Sequence, residues 1–297
     1  MATNWVSILG KVEVGEGQIK YIPVQITEGP NAGQTSVALV RSNLEFESGE
    51  LSYEALLTDP QSACQIGLNQ GLQPEIYAGL NVGVAPYGVA LFRNAKWEIF
   101  ATAGFGDVLP TNQWISVRLR VLGSRLDLYV NDVNVLSALQ NVLKSQVALF
   151  MRGTSEITVR NVKVVSNPPR AFVVMQFSDE FNALYSDVIK PTCEKFGFDV
   201  IRADDIYKSG LIIEDITRAI QEASLVLADI TPDNPNVFYE VGYAHGIKKP
   251  TILLSERKRN ALPFDVSGFR TLFYDNSIGG KGEVESRLTK HLQNMAV

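Results

Sequence analysis

The chain has 297 residues, 45% of them hydrophobic and 20% charged, a balance suited to a globular protein with room for two domains, each burying its own core. The net charge of −5 is spread so that neither half is a polycation, which disfavours a nucleic-acid backbone as partner. Two cysteines, Cys64 and Cys193, and two histidines, His245 and His291, argue against a disulfide framework, a zinc cluster or a Ser-His-Asp centre, so no metal is expected. The N-terminus MATNWVSILG lacks the basic, apolar and small-residue succession of a leader. No run of about eighteen apolar residues occurs anywhere. A cytoplasmic protein with no membrane partner is the expectation.

Residues 1–165 read almost entirely as strands. In WISVRLRV (114–121) Ile115, Val117, Leu119 and Val121 alternate with polar partners, and LDLYV (126–130) repeats the alternation after Gly123-Ser124. Asn131-Asp132 supplies a tight turn into VNVLSA. The same period recurs in VALV (37–40), GVALF (88–92) and ITVRNVKVV (157–165). Many short strands divided by Gly, Asn, Asp and Pro predict an all-β sandwich. From about residue 40 to 165 the pattern resembles the concanavalin-like and laminin-G-like jelly rolls. Such domains often bind sugars, and Tyr77, Tyr87, Trp97 and Trp114 are candidates for a stacking platform; the competing reading places these aromatics in the core.

SNPPR (166–170) ends this half, because paired prolines stiffen a connection and cannot sit in a central strand. Beyond it the period changes. AFVVMQF (171–177) is a nearly continuous apolar run, as in a strand covered on both faces. A helix follows from about Glu180 to Phe196, stopped by Gly197, with Pro191 predicting a kink or break. Then come FDVIRA (198–203) as strand, a helix at 212–223, LVLADI (225–230) as strand, a further helix, TILLS (251–255) and TLFYD (271–275) as strands, and a last helix at 281–294. Alternating strands and helices predict an α/β domain over 171–297 with a parallel sheet and helices on both faces. Ligands of such sheets bind beyond the carboxyl ends of the strands, which directs attention to QFSDEF, RADDIYKSG and DITPDNPN.

The helix after LVLADI poses a question. Asn234 or Asn236 can cap it and Pro235 suits its first position. At about 100° per residue Val237, Val241 and Ala244 form one apolar stripe, and Glu240 shares the edge of that stripe with Ala244 and Ile247. Glu240 is therefore expected to be partly desolvated. Read as a first-turn residue, it complements the helix dipole for about 0.3–1 kcal/mol. A capping box does not account for it, since neither Tyr239 nor Val237 supplies the required acid. The basic clusters Lys248-Lys249 and Arg257-Lys258-Arg259 read as solvated surface in preference to a phosphate site.

Three features, VVMQFSDEF, LVLADIT and NPNVFYEVGYAHGIKKPTILL, make the stretch Phe172 to Leu254 resemble the nucleoside 2-deoxyribosyltransferase and N-glycosidase superfamily, related in fold to Toll/interleukin-1 receptor (TIR) domains. The resemblance implies a flavodoxin-like, TIR-like sheet in which Glu240 is the catalytic carboxylate. It would attack or electrostatically hold the anomeric carbon of a ribosyl group. The residue type suits the chemistry, because breaking a C1′–N bond develops an oxocarbenium ion that a carboxylate can trap or stabilise. A nicotinamide group leaves neutral from a cationic precursor, so a site poor in histidine suffices. Deoxyribosyltransferases usually carry an acid six residues before the glutamate; this chain has Asn234 there, with Asp233 beside it. That departure tilts the expectation from base exchange on nucleosides to an NAD+ glycohydrolase, or an ADP-ribosyl cyclase, with NAD+ as substrate and no cofactor.

Asp229, at its strand end, either binds a ribose hydroxyl or caps the following loop. Tyr239 and Tyr243 are candidates to stack on a base or orient Glu240, and His245 reads as structural. Ser178 and Asp179 would line the same cleft, and Asp204, Asp205, Ser209 and Gly210 belong to a loop suited to ribose. A dehydrogenase is disfavoured, since no GxGxxG follows the first strand. The resemblance further implies a homo-oligomer acting as a bacterial antiphage effector, with the sandwich sensing an activating ligand or driving self-association. A nucleoside N-glycosidase, a non-catalytic nucleotide sensor and a carbohydrate-binding scaffold are the alternatives.

Overall fold

The computed structural model describes residues 3–30, 32–205, 212–259, 262–269 and 271–295. Ser209 and Gly210 lie outside these residues. The chain divides into two compact units. One comprises Met1–Val121 and Arg125–Asn167; the other comprises Pro168–Val297 with the short segment Leu122–Ser124.

In the first unit fourteen strands follow in chain order: β1 (Trp5–Leu9), β2 (Lys11–Gly15), β3 (Gln18–Ile22), β4 (Ala38–Phe46), β5 (Gly49–Leu57), β6 (Ala63–Leu68) and β7 (Glu75–Val82), then β8 (Ala85–Arg93), β9 (Lys96–Ala103), β10 (Trp114–Leu122), β11 (Arg125–Val130), β12 (Val133–Leu139), β13 (Ser145–Arg152) and β14 (Ile157–Ser166). They make two seven-stranded antiparallel sheets, β1-β4-β13-β6-β7-β8-β9 and β12-β11-β10-β5-β14-β3-β2. Alternation decides the layering. In β10 Ile115, Val117, Leu119 and Val121 point into the single core between the sheets, with Tyr53, Leu128 and Leu149 among their neighbours there. Asn131 and Asp132 both have positive φ, the backbone that a two-residue hairpin turn needs to match strand twist.

The second unit is a five-stranded sheet of β15 (Arg170–Val174), β16 (Asp199–Arg202), β17 (Leu225–Asp229), β18 (Thr251–Glu256) and β19 (Thr271–Tyr274), in the order β16-β15-β17-β18-β19. All four pairings are parallel. Helices α1 (Asp179–Leu184), α2 (Lys190–Lys195), α3 (Ile212–Glu222), α4 (Pro235–Gly246), α5 (Phe264–Ser267) and α6 (Ile278–Met295) flank it. Alternate residues of β15 serve opposite faces. Ala171 and Val173 join the core under α1, α2 and α6, whereas Phe172 and Val174 join the core under α3, α4 and α5.

Between α1 and α2 the chain stays helical through a π turn, Tyr185–Ile189, so Pro191 does not break the helix. The widened turn lies just before the proline, where its ring would otherwise crowd the carbonyl of Asp187. Gly197 ends the helix with φ +80°.

Candidate functional site

The sheet order places β15 between β16 and β17, and the chains leaving β15 and β17 depart to opposite faces. A crevice opens at such a switch point beyond the strand ends, where loops can hold a ligand without breaking sheet hydrogen bonds. The acids flagged by sequence sit on the segments and helices that follow β15, β16 and β17, and most of them are already engaged within the protein.

Asp229, the last residue of β17, is only 1% exposed. It accepts a hydrogen bond from the Tyr274 hydroxyl at 2.6 Å and another from the backbone N–H of Thr231 at 2.9 Å. Burial pushes its carboxyl up to about 7 against the pull of those two donors. Asp229 thus caps the loop that follows β17.

On β16 the Arg202 guanidinium grips the Asp204 carboxylate through Nε at 2.6 Å and Nη2 at 2.5 Å, and donates through Nη1 to Asn182 Oδ1 at 2.8 Å. That bidentate bond holds the Asp204 carboxyl below its usual range. Asp205 accepts from the Arg202 backbone N–H at 3.0 Å and from the Tyr185 hydroxyl at 3.3 Å. The Arg202 guanidinium also lies over the Tyr185 ring, 4.4 Å from its centroid. Arg202 through Asn182 of α1, and Asp205 through Tyr185 just beyond it, thus fasten the top of β16 to the first helical stretch, while Asp204 fixes the guanidinium. Asp233 pairs with Arg259, which also donates to the carbonyl of Ile230. Ser178 precedes α1 in extended conformation without a side-chain cap bond, and Asp179 opens that helix exposed to solvent.

Helix α4 starts as its sequence predicts. Asn234 Oδ1 accepts from the N–H of Asn236 at 3.0 Å, Pro235 takes the first position, and Val237, Val241 and Ala244 are buried. Glu240 is the sixth residue of this helix, hence in the second turn, and α4 has no acid in its first turn. Compensation of the helix dipole therefore does not account for it, since that effect fades within one turn. Glu240 is 8% exposed, and among the described residues none donates a hydrogen bond to it or pairs with it. Burial alone raises its carboxyl to about 7.

Its neighbours on the helix have other duties. The Tyr243 hydroxyl accepts from Gln221 Nε2 at 2.5 Å, tying α4 to α3, and Tyr239 is exposed. His245 stacks on Phe269 at a centroid distance of 3.9 Å, and burial lowers its pKa, so the imidazole is neutral at physiological pH. Lys249 is buried, donating to the carbonyls of Gln221 and Ala223 at the end of α3, which removes it from any phosphate site. Arg202 and Tyr274 went unnoticed in the sequence, and Arg259, read there as solvated surface, is instead largely buried against Ile230 and Asp233. A cation next to the pair Asp204-Asp205 was the available signal for Arg202; the partners of the other two are distant in sequence. Among the described residues no group of three or more His, Cys, Asp or Glu is placed to hold a metal ion, and no helix is long and apolar enough to cross a membrane.

In the first unit the expected aromatic platform forms in part. Tyr77 and Trp97 meet with ring centroids 4.9 Å apart, joined by Phe92 and Phe150. Tyr87 packs against the core between the sheets, and Trp114 lies on the other sheet beneath the Arg160 guanidinium. The platform borders a groove of about 550 Å³.

No family model and no curated protein matches the chain. Among solved structures it is similar to the carbohydrate binding module CBM66 from Bacillus subtilis, with 13% identity and a TM-score of 0.44 over 53% of this chain and 92% of that one. It is also similar to a Bacillus subtilis protein of unknown function with a galectin-like fold, at 8% identity and a TM-score of 0.40 over 54% and 87% of the two chains. A third likeness is the Bacillus licheniformis beta-glucanase, at 9% identity and a TM-score of 0.36 over 51% and 79%. The two-sheet jelly-roll sandwich of β1–β14 is the part these likenesses concern.

Proposed function

We propose that the α/β unit cleaves a C1′–N glycosidic bond of a ribosyl group, with NAD+ as substrate and Glu240 as the carboxylate facing the anomeric carbon. The observation that carries this reading is the state of Glu240, buried and unpartnered among the described residues while Asp204, Asp205, Asp229 and Asp233 are all engaged. A desolvated carboxylate without a partner costs free energy. An oxocarbenium centre developing beside it offsets that cost, and the stabilisation is largest in the transition state, which is the condition for catalysis. Nicotinamide departs as a neutral molecule, so the neutral, stacked His245 need not act as an acid. The strand order supports the reading as well, since counted along the chain it is 2-1-3-4-5, the flavodoxin-like order expected of a TIR-like domain.

Base exchange on nucleosides is the second reading, and Asn234 weighs against it. The position where a deoxyribosyltransferase-like enzyme would present an acid is occupied by the cap of α4. Beyond the chemistry, the proposal extends to an antiphage effector that depletes NAD+, releasing ADP-ribose or a cyclised product. In it the sandwich senses a ligand or drives self-association of a homo-oligomer.

The deciding experiment incubates the whole chain, at several protein concentrations, with NAD+ and separately with deoxynucleosides plus a free base. Nicotinamide release is expected, reduced at least about a hundredfold in Glu240→Gln. Exchange of bases without nicotinamide release would replace the reading with a deoxyribosyltransferase. Tight nucleotide binding with no product at any concentration would replace it with a sensor.

A further inference from the structure

The two outer faces of the sandwich differ in kind. On the sheet containing β5, β10 and β14, charges pair across strands, Arg118 with Glu50 at 3.0 Å and Arg160 with Glu54 at 2.7 Å. Its outward aromatics, Tyr129 and Trp114, each lie under an arginine, 4.0 and 3.8 Å from ring centroid to guanidinium. This is the ordinary solvent face of an antiparallel sheet. The outer face of the other sheet carries the groove of about 550 Å³, a size suited to a small organic ligand. Trp97 is 48% exposed there.

Besides the Tyr77 hydroxyl and the Trp97 indole N–H, four residues lining the groove are polar or charged: Gln65, Glu75, Asn81 and Arg152. Three of them spend their hydrogen bonds on the protein. Gln65 Nε2 donates to the carbonyl of Asn81 at 2.9 Å. Asn81 Nδ2 donates to the carbonyls of Pro60 and Ser62, both at 2.7 Å. Glu75 accepts from the Tyr77 hydroxyl at 2.7 Å and from the N–H of Gly71 at 3.0 Å. Arg152 alone has no hydrogen-bond or ion-pair partner among the described residues. It stands two residues beyond Phe150 on β13, hence on the same face as the aromatic cluster. A polyhydroxylated ligand needs many uncommitted polar groups, and this groove offers the guanidinium of Arg152 and at most the single indole N–H of Trp97.

We infer that this groove binds a small amphipathic anion, its apolar ring body lying against Trp97, Tyr77 and Phe150 and its acidic head on Arg152. The inference stands apart from the glycosidase reading, because it concerns only the sandwich.

Two fluorescent probes of nearly the same ring system test it on the whole chain: anilinonaphthalene sulfonate, which carries an acidic group, and phenylnaphthylamine, which is neutral. Saturable binding of both is expected, with the sulfonate about tenfold tighter through one charge-assisted contact. Arg152→Gln should erase that preference and leave phenylnaphthylamine affinity unchanged, while Trp97→Ala should weaken both probes. Unfolding midpoints of the variants establish that each remains folded. The inference falls if neither probe saturates, if Arg152→Gln leaves the preference intact, or if neutral oligosaccharides displace the sulfonate, the last result assigning the groove to sugars.

Discussion

At the scale of single residues the α/β unit is defined by two carboxyls raised by burial to about 7, Asp229 and Glu240. For both, the folded state binds the proton more tightly than the unfolded chain does. Their contribution to stability is therefore greatest below about pH 4, declines as pH rises, and levels off above about 7. Glu240→Gln removes the charge without changing shape, so the variant should be more stable than the parent at pH 8, by about 2–3 kcal/mol, and nearly equal to it at pH 4. Urea denaturation at the two pH values measures the difference; a Gln variant less stable at pH 8 would mean that an ionised Glu240 has a partner. In the proposed reaction Glu240 acts as the anion, so nicotinamide release should rise with pH through about 7 and then plateau. Asp229 has a different vulnerability. Tyr274→Phe takes away one of its two donors and should cost about 1–3 kcal/mol, read from the same denaturation curves.

At the scale of elements, α4 brings the cap, the apolar stripe and Glu240 onto one rigid rod. Asn234→Asp keeps a good capping oxygen, so stability should change by less than about 0.5 kcal/mol, whereas Asn234→Ala should lose about 1 kcal/mol. The Asp variant also installs an acid six residues before Glu240. If Asn234 is what disfavours base exchange, Asn234→Asp should gain measurable exchange on deoxynucleosides. Much of this helix was legible in the sequence, because capping and the 3.6-residue period are local. The turn to which Glu240 belongs was misjudged, and with it the dipole alternative, because Asn234 and Asn236 both offered a start. The ties made by Arg202, Arg259 and Tyr274 were not legible for a different reason. Apart from the local pair Arg202-Asp204, each joins segments that only the fold brings together, and residue types alone carry no register between parallel strands.

For the whole molecule, the change of hydrophobic period after residue 165 distinguishes the two architectures, since period-two strands and continuous apolar strands bury different numbers of faces. Alternation also identifies the sandwich core, but not the character of its outer faces, which depends on which strands are neighbours. Tyr77, Phe92, Trp97 and Phe150 come from four strands, and Tyr87 and Trp114 fell to the core and to the opposite sheet. Stability should be unequally distributed across this unit. Leu119→Ala, in the core, should cost about 2–5 kcal/mol. Arg118→Gln, on the charged outer face, should cost no more than about 1 kcal/mol, and thermal unfolding of the two variants compares them.

The chains leaving β15 and β17 depart to opposite faces of their sheet. The connection after β17 is tied to β18, where Thr231 Oγ1 accepts from the Glu256 N–H at 2.8 Å, so a change in its length is felt in the neighbouring strand. Among the described residues the connection after β15 has no such tie to β18, so of the two it is the one that can vary while α4 and Glu240 keep their place.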